Sequence, residues 1–299
     1  MKCLIIDAVH SSIAEEFSKY MQVDTHMLPT QEELAKLIPD YDVLIMRVDP
    51  AINKEILDAA KNLKVIGVCS VGLNHIDLDT AKEKGIQVIN APGLNGNAVA
   101  ELTIAKMLDI ARHTIPACYD VKVNKNWDKY KYVGSELRGK TLGILGFGRI
   151  GQKLCVMAKA MGMEVLASDI YHVPGIEEQL GMTYVDNDTL FAKADFISLH
   201  TPAVDGKPLI NAETIAKMKD GAVLINTSRG NNVDEDALLA ALESGKLRAA
   251  GLDVYAEEPP KNAALYAHPN VSCTPHIGAA TVEAQKRIGM EIVDIIRAM

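Results

Sequence analysis

Aromatic residues are scarce in this sequence, at 5%, with a single tryptophan. Alanine, methionine and the aliphatic side chains must therefore fill the core. Basic residues are outnumbered by acidic ones, 31 to 39, for a net charge of −8, and no strongly basic segment stands out. That argues against a nucleic-acid partner. No apolar run approaches the roughly 18 residues that span a bilayer, so no membrane role is expected. The N-terminal run Met1-Lys2-Cys3-Leu4-Ile5-Ile6-Asp7 reaches a carboxylate too early for a secretory signal. The five cysteines, Cys3, Cys69, Cys118, Cys155 and Cys273, are odd in number and widely spaced, with no CxxC pair. Free buried thiols in a reducing cytoplasm are expected, rather than a disulfide framework or a metal site.

What is present is an alternation of strand-like and helix-like runs. A chain of 299 residues, 48% hydrophobic and 23% charged, has the composition of a folded protein of about two domains. Residues 2–7, 43–46, 65–68 and 86–89 read as buried strands. Helix-like stretches fall at 13–20, capped by Ser11-Ser12, and at 32–38, 53–60 and 79–84. Unbroken apolar runs predict parallel strands covered on both faces. Pro92-Gly93 interrupts the pattern before a longer helix over 98–112. A polar, poorly periodic stretch from 124 to 138 holds Trp127, Tyr130 and Tyr132. It reads as a solvated excursion whose aromatic residues suit a subunit contact. A second set of strands is expected at 141–145, 164–168, 195–199, 222–226, 249–252 and 271–274. Its helices are expected at 152–161, 188–194, 212–218, 235–243 and 281–297.

Between the first strand and helix of this second set lies Gly146-Phe147-Gly148-Arg149-Ile150-Gly151. A GxGxxG hexapeptide is weak evidence alone and stronger in this context. Gly146 permits the tight turn, Gly148 lets backbone approach a pyrophosphate, and Gly151 allows close helix–strand packing. With Arg149 and Ile150 these residues open a helix whose N–H groups and dipole favour an anion. Asp169 ends the next strand, where a carboxylate binds an adenosine ribose and repels a 2′-phosphate. NAD is therefore expected over NADP.

Ligands of doubly wound sheets bind beyond the carboxyl ends of the strands. Those ends here carry His200-Thr201-Pro202, Thr227-Ser228-Arg229-Gly230, Asp253 and Pro275-His276. Hydride transfer to or from a carbinol needs a proton acceptor on its oxygen and a cation for a carboxylate and a polarised carbonyl. Arg229 suits the cation, with a planar fork. His276 or His200 suits the base, and Glu257 or Glu258 the carboxylate behind it.

In order along the chain, several motifs resemble those of the D-isomer-specific 2-hydroxyacid dehydrogenases. They are Ser70-Val71-Gly72-Leu73-Asn74-His75-Ile76-Asp77, Asn97-Ala98-Val99-Ala100-Glu101, residues 139–151, Leu199-His200-Thr201-Pro202, Asn226-Thr227-Ser228-Arg229-Gly230, Gly251-Leu252-Asp253-Val254-Tyr255-Ala256-Glu257-Glu258-Pro259 and Thr274-Pro275-His276-Ile277-Gly278. The resemblance implies an α/β protein of two doubly wound parallel-sheet domains, a Rossmann NAD domain (92–276) inserted in a flavodoxin-like substrate domain (1–91 and 277–299). It implies Arg229 as the substrate-binding arginine, Glu258 as the carboxylate partner and His276 as the acid/base. It moves His200 to the cofactor side, where Thr201, Pro202 and Ser228 are also expected to bind the cofactor, and places Thr227, Asp253 and Gly278 near the nicotinamide. Arg47, Val71, Gly72 and Asn74 become substrate contacts, and the stretch with Trp127 an arm of a homodimer.

The substrate implied is a small 2-hydroxy or 2-oxo acid. Val48-Asp49 after Arg47 weakens a phosphorylated one, Lys125, Lys129 and Lys131 pull the other way, and Ser70-Val71-Gly72 also resembles glyoxylate and hydroxypyruvate reductases. Glu258 before Pro259 disfavours the formate dehydrogenase branch. The chain ends soon after its last helix, so the regulatory extension of longer phosphoglycerate dehydrogenases is expected to be absent. Two alternatives stand beside the general reading: 3-phosphoglycerate dehydrogenase specifically, and a non-catalytic NAD-sensing protein on the same scaffold.

Overall fold

Strand pairing is parallel throughout the computed structural model, which describes residues 1–203 and 206–299. The chain forms two units, Met1–Asn95 with Ala279–Met299, and Gly96–Gly278.

The first unit runs β1 Lys2–Ile5, α1 Ser12–Phe17, β2 Gln22–Thr25, α2 Gln31–Leu37, β3 Val43–Met46, α3 Lys54–Ala59, β4 Val65–Val68, α4 Leu78–Glu83 and β5 Gln87–Asn90. Its sheet order is β2-β1-β3-β4-β5. β3 and β4 are buried at every position because helices cover both faces. β2 is polar, was not expected, and exists as an edge strand in register with β1. Ser11 precedes α1 but makes no capping bond through its side chain. Instead Ser12 Oγ meets His10 Nδ1 at 2.9 Å, a local contact that replaces the expected cap. A C-terminal helix, Val282–Ala298, presents Ile288, Ile292, Val293 and Ile296 to the same apolar cluster as Ile13 and Phe17. Ile13 rests on the helix backbone at Gly289, where a Cβ would lie 2.5 Å from Ile13 Cδ1.

The second unit begins with α5 Gly96–Arg112 and α6 Thr114–Tyr119. It continues with β6 Thr141–Leu145, α7 Arg149–Ala160, β7 Glu164–Ser168, α8 Ile176–Leu180, β8 Thr183–Tyr184, α9 Asn187–Lys193, β9 Phe196–Leu199, α10 Ala212–Ala216, β10 Ala222–Asn226, α11 Glu235–Glu243, β11 Leu247–Leu252, α12 Ala263–Ala267 and β12 Val271–Cys273. The order β12-β11-β10-β9-β6-β7-β8 reverses direction between β6 and β9. That reversal makes the switch point at which doubly wound sheets place ligands. α6, α8, β8 and α12 were not expected; each is two to six residues long, too short to show a period.

After α6, a π-helical turn at Asp120–Asn124 leads into the polar excursion. Asp120 organises it, accepting hydrogen bonds from Asn124 Nδ2, Asn126 Nδ2, Lys131 Nζ and Tyr132 OH. The Lys131 bond, then Tyr132 and Asn124, hold this carboxyl well below the usual carboxylate range. Trp127 is 84% exposed on the excursion. Cys3, Cys69 and Cys155 are buried and Cys273 half-buried, but Cys118 is exposed on α6, contrary to the expectation of buried thiols. Among the described residues no helix is long and apolar enough to cross a membrane, and no group of His, Cys, Asp and Glu is arranged to hold a metal.

Candidate active site

The glycine loop is shaped by close backbone approach. Gly146 has φ +89, and a Cβ there would lie 2.7–2.8 Å from backbone atoms of His200 and Thr201 at the end of β9. A Cβ on Gly151 would lie 2.6 Å from Gly146 O, so α7 packs directly on the turn. A Cβ on Gly148, the N-cap of α7, would meet nothing within 4 Å. Glycine at that position leaves a cradle facing solvent, lined by the first N–H groups of a 12-residue helix. Asp169 Oδ2 accepts the Phe147 N–H at 2.5 Å, and Oδ1 accepts the Tyr171 N–H at 3.0 Å. Asp169 and the glycine loop thus hold each other, and the residues present fit a dinucleotide.

On the other side of the switch point, Asn226 closes β10 and shapes the turn that presents Arg229. Its Oδ1 accepts from the Ser228 N–H at 3.1 Å and Ser228 Oγ at 3.0 Å, and its Nδ2 donates to Arg229 O at 2.9 Å. Thr227 Oγ1 meets Thr103 Oγ1 at 2.9 Å in the interior. The half-buried Arg229 guanidinium donates to Ser228 O at 2.7 Å. Asn232 Nδ2 reaches Thr201 Oγ1 and Pro202 O, both at 3.0 Å, tying the β9 loop to the β10 loop.

His276 and Glu258 meet in the loops after β12 and β11. His276 Nδ1 lies 2.7 Å from Glu258 Oε2. A carboxylate only accepts, so Nδ1 carries the hydrogen and Nε2 is left outside that bond, able to accept or give a proton. Glu257 pairs with Lys261 instead. The structure therefore brings Glu258, and not Glu257, to the imidazole. His276 has φ +51, a left-handed conformation costly for a residue with a side chain. It is held there by its N–H, donated to Asp253 O at 2.9 Å and Thr274 O at 3.0 Å, and by the fully buried Asp253. Asp253 accepts from Thr274 Oγ1 at 2.6 Å, the Ile277 N–H at 2.9 Å and the Gly278 N–H at 2.8 Å. Tyr255 adds a bond from its OH to Thr274 O at 2.7 Å and from its N–H to Glu258 Oε1 at 3.3 Å. Asn226, Asn232 and Tyr255 were not singled out from sequence. The available signal for Asn226 and Tyr255 was their place in the strand-end motifs, and Asn232 lies in the loop beyond β10 with no such signal.

His200 takes a different role. Its Nε2 meets Ser198 Oγ at 2.8 Å and its Nδ1 is buried without a partner. Burial pulls its pKa from 6.5 down to about 3. The folded value lies below the unfolded one, so the neutral ring's contribution is complete above about pH 6.5 and is lost as pH falls toward about 3. Melting temperatures across about pH 4 to 7 should fall less steeply toward acid in His200→Gln than in the wild type; parallel curves would contradict this.

In the first unit, the loop after β3 carries Arg47, which is half-buried. Asp7 Oδ2 accepts the N–H groups of Arg47, Val48 and Asp49 and so shapes that loop. The loop after β4 is set by Ser70 Oγ donating to Gly72 O at 3.0 Å and Asn90 Nδ2 donating to Val71 O at 2.8 Å. Asn74 is exposed, and a Cβ on Gly72 would lie 3.0 Å from its Oδ1. The three lysines noted on the excursion are engaged locally: Lys131 with Asp120, Lys125 with Lys122 O, and Lys129 over the Tyr130 ring.

Residues 104–278 match the family model described as the D-isomer specific 2-hydroxyacid dehydrogenase, NAD binding domain. The hydroxypyruvate reductase of Thermotoga maritima is 47% identical over 270 residues, covering 89% of this chain and 87% of that protein. The D-3-phosphoglycerate dehydrogenase of Methanocaldococcus jannaschii is 42% identical over 99% of this chain, which spans only 57% of that protein's length. Among solved structures, the D-lactate dehydrogenase from Aquifex aeolicus complexed with NAD and lactic acid superposes with a TM-score of 0.81. It is 30% identical, with 99% of this chain and 94% of that chain covered.

Proposed function

Because the chain belongs to the D-isomer specific 2-hydroxyacid dehydrogenase family, an NAD-dependent enzyme family, we propose that it interconverts a short, unphosphorylated D-2-hydroxy acid and its 2-oxo acid. The observation that carries the reading is the 2.7 Å bond from His276 Nδ1 to Glu258 Oε2, which leaves Nε2 for proton exchange. The cradle of Gly146, Gly148, Arg149, Ile150 and Gly151, with Asp169, would hold NAD, which when bound would supply the hydride as NADH or accept it as NAD+. Arg229 takes the substrate carboxylate and polarises the ketone. In reduction, His276 gives its Nε2 proton to the forming alkoxide while Glu258 stabilises the imidazolium. In oxidation, His276 removes the hydroxyl proton; the overall oxidation releases one proton, so by mass action rising pH favours it. Asp253 keeps the His276 loop in place, and His200, Thr201, Pro202, Thr227, Ser228 and Gly278 line the cofactor side. The proposed substrate contacts of the first unit are Arg47, Val71, Gly72 and Asn74.

Val48-Asp49 after Arg47 and the local engagement of Lys125, Lys129 and Lys131 support an unphosphorylated substrate of the glyoxylate or hydroxypyruvate kind. The test is a panel of 2-oxo acids, phosphorylated ones included, with NADH oxidation read by absorbance. Turnover of unphosphorylated acids supports the reading. A strong preference for a phosphorylated three-carbon acid overturns it in favour of 3-phosphoglycerate dehydrogenase, and no turnover at all favours an NAD-sensing protein.

We propose further that the protein is a cytoplasmic homodimer. Ile115, Tyr119, Val121, Val123, Trp127, Tyr130 and Val133 are large apolar side chains exposed within one segment, and burial against a second copy removes them from water. Trp127→Glu is expected to shift the protein toward monomer in light scattering at low micromolar concentration. A wild-type mass for this variant contradicts the role given to the arm.

A further inference from the structure

Beyond the glycine loop and Asp169 lies an aromatic arrangement that the reaction does not use. The imidazole of His172 stacks flat on the Tyr184 ring, with centroids 3.9 Å apart and planes inclined by 4°. Tyr184 in turn receives the edge of Phe147 at 5.6 Å and 80°. Phe147 is the residue between Gly146 and Gly148, and its N–H is the one that Asp169 accepts. His172 lies three residues beyond Asp169 on the same turn. The contacts close a ring: Phe147 backbone to Asp169, along the chain to His172, across to Tyr184, and back to the Phe147 side chain.

Tyr184 is the second residue of β8, a strand only two residues long at the sheet edge. So short a strand anchors little by its own ladder. Tyr184 adds further ties to the segment between β7 and β8. Its hydroxyl accepts the Val173 N–H at 3.3 Å, and its N–H donates to Glu177 Oε1 at 2.8 Å. His172 itself is exposed, and so are Ile170 and Tyr171. A stack on an exposed turn buries little apolar area. Its main effect is to remove conformational freedom from the turn that carries Asp169.

We propose that His172 and Tyr184 are positioning residues that pre-organise Asp169 against the glycine loop. They thereby set both the affinity for NADH and the discrimination against NADPH. The proposal rests on the NAD reading of the loop. A carboxylate held in one place accepts bonds from the ribose and repels a 2′-phosphate at full strength. One that wanders does less of both, so loosening it costs NADH more than NADPH.

The test is fluorescence titration of the full-length protein with NADH and with NADPH. His172→Ala and Tyr184→Ala are each expected to weaken NADH roughly five- to tenfold. NADPH should change by less than about twofold, so the preference narrows, and kcat at saturating NADH should stay within about twofold of wild type. His172→Phe and Tyr184→Phe keep flat rings and should restore NADH affinity. A stack that served only stability would lower the melting temperature of the alanine variants without moving either dissociation constant, and that result overturns the proposal. If Tyr184→Ala does not fold, His172→Ala decides, because its side chain is exposed. A wild-type protein that binds no NADH overturns the cofactor reading itself, and this inference with it.

Discussion

His276→Gln is expected to lower kcat on the order of 10³-fold while NADH still binds with near wild-type affinity. Glutamine is close to histidine in reach and can still donate to Glu258, but it has no proton to exchange at the reacting oxygen. The backbone around it does not depend on the imidazole. Asp253 holds the loop through the Ile277 and Gly278 N–H groups and Thr274 Oγ1, none of which the substitution removes. The left-handed φ of +51 is imposed on either residue. The loss should therefore fall on the chemical step, visible as reduced kcat in steady-state and single-turnover assays with an unchanged NADH titration. An unaltered kcat would remove His276 from the mechanism.

Gly230→Ala is expected to damage stability and catalysis together. A Cβ on Gly230 would lie 1.8 Å from Tyr255 O, 1.9 Å from Tyr255 C and 2.5 Å from Ala256 N. All three are backbone atoms, so no rotamer change relieves the clash. The β10 loop must move from the β11 loop. The first carries Arg229, fixed by the bond from Asn226 to its carbonyl, and the second leads to Glu258, fixed through the Tyr255 N–H. Overpacking of this kind costs roughly 1–3 kcal/mol and sometimes more. A displacement of about 1 Å between reacting groups lowers kcat/KM about 10²-fold. Denaturant unfolding and steady-state kinetics on the same preparation check both effects. Wild-type values in both would mean that the two loops yield freely and that their close approach does not set the site.

The parts of the site that were legible in sequence are those whose chemistry is local. β6 and β10 are unbroken apolar runs ending in glycine or polar residues, so their strand ends could be located. The order Gly146, Gly148, Gly151 followed by Asp169 is a spacing, and spacing survives without coordinates. Arg229 could be named as the cation from its own chemistry, whereas Glu258 and His276 were assigned through a resemblance of motifs; from the residues alone, Glu257 and His200 remained equal candidates. Distances separate them: Glu257 is drawn to Lys261, Glu258 to His276, and His200 to Ser198.

The elements that escaped sequence reading share a physical reason. β2, β8, α8 and α12 are short or lie at an edge, and they persist because neighbours hold them. The helix cap expected from Ser11-Ser12 did not form: Ser11 has helical backbone angles, φ −56 and ψ −30, rather than the extended ones of a capping residue, and the Ser12 hydroxyl meets His10 instead.

By itself, then, the sequence determined the alternation of parallel strands and helices, the glycine loop followed by Asp169, and the residue types available at each strand end. These follow from hydrophobic periodicity and from glycine's freedom, which act over a few residues. Only the tertiary structure decided which polar groups meet. Asp253 reaches 25 residues along the chain to the Gly278 N–H, and Thr227 meets Thr103 across 124. The first arises because parallel pairing sets the ends of β11 and β12 side by side, the second because α5 packs against the end of β10, and sequence separation carries no record of either neighbourhood.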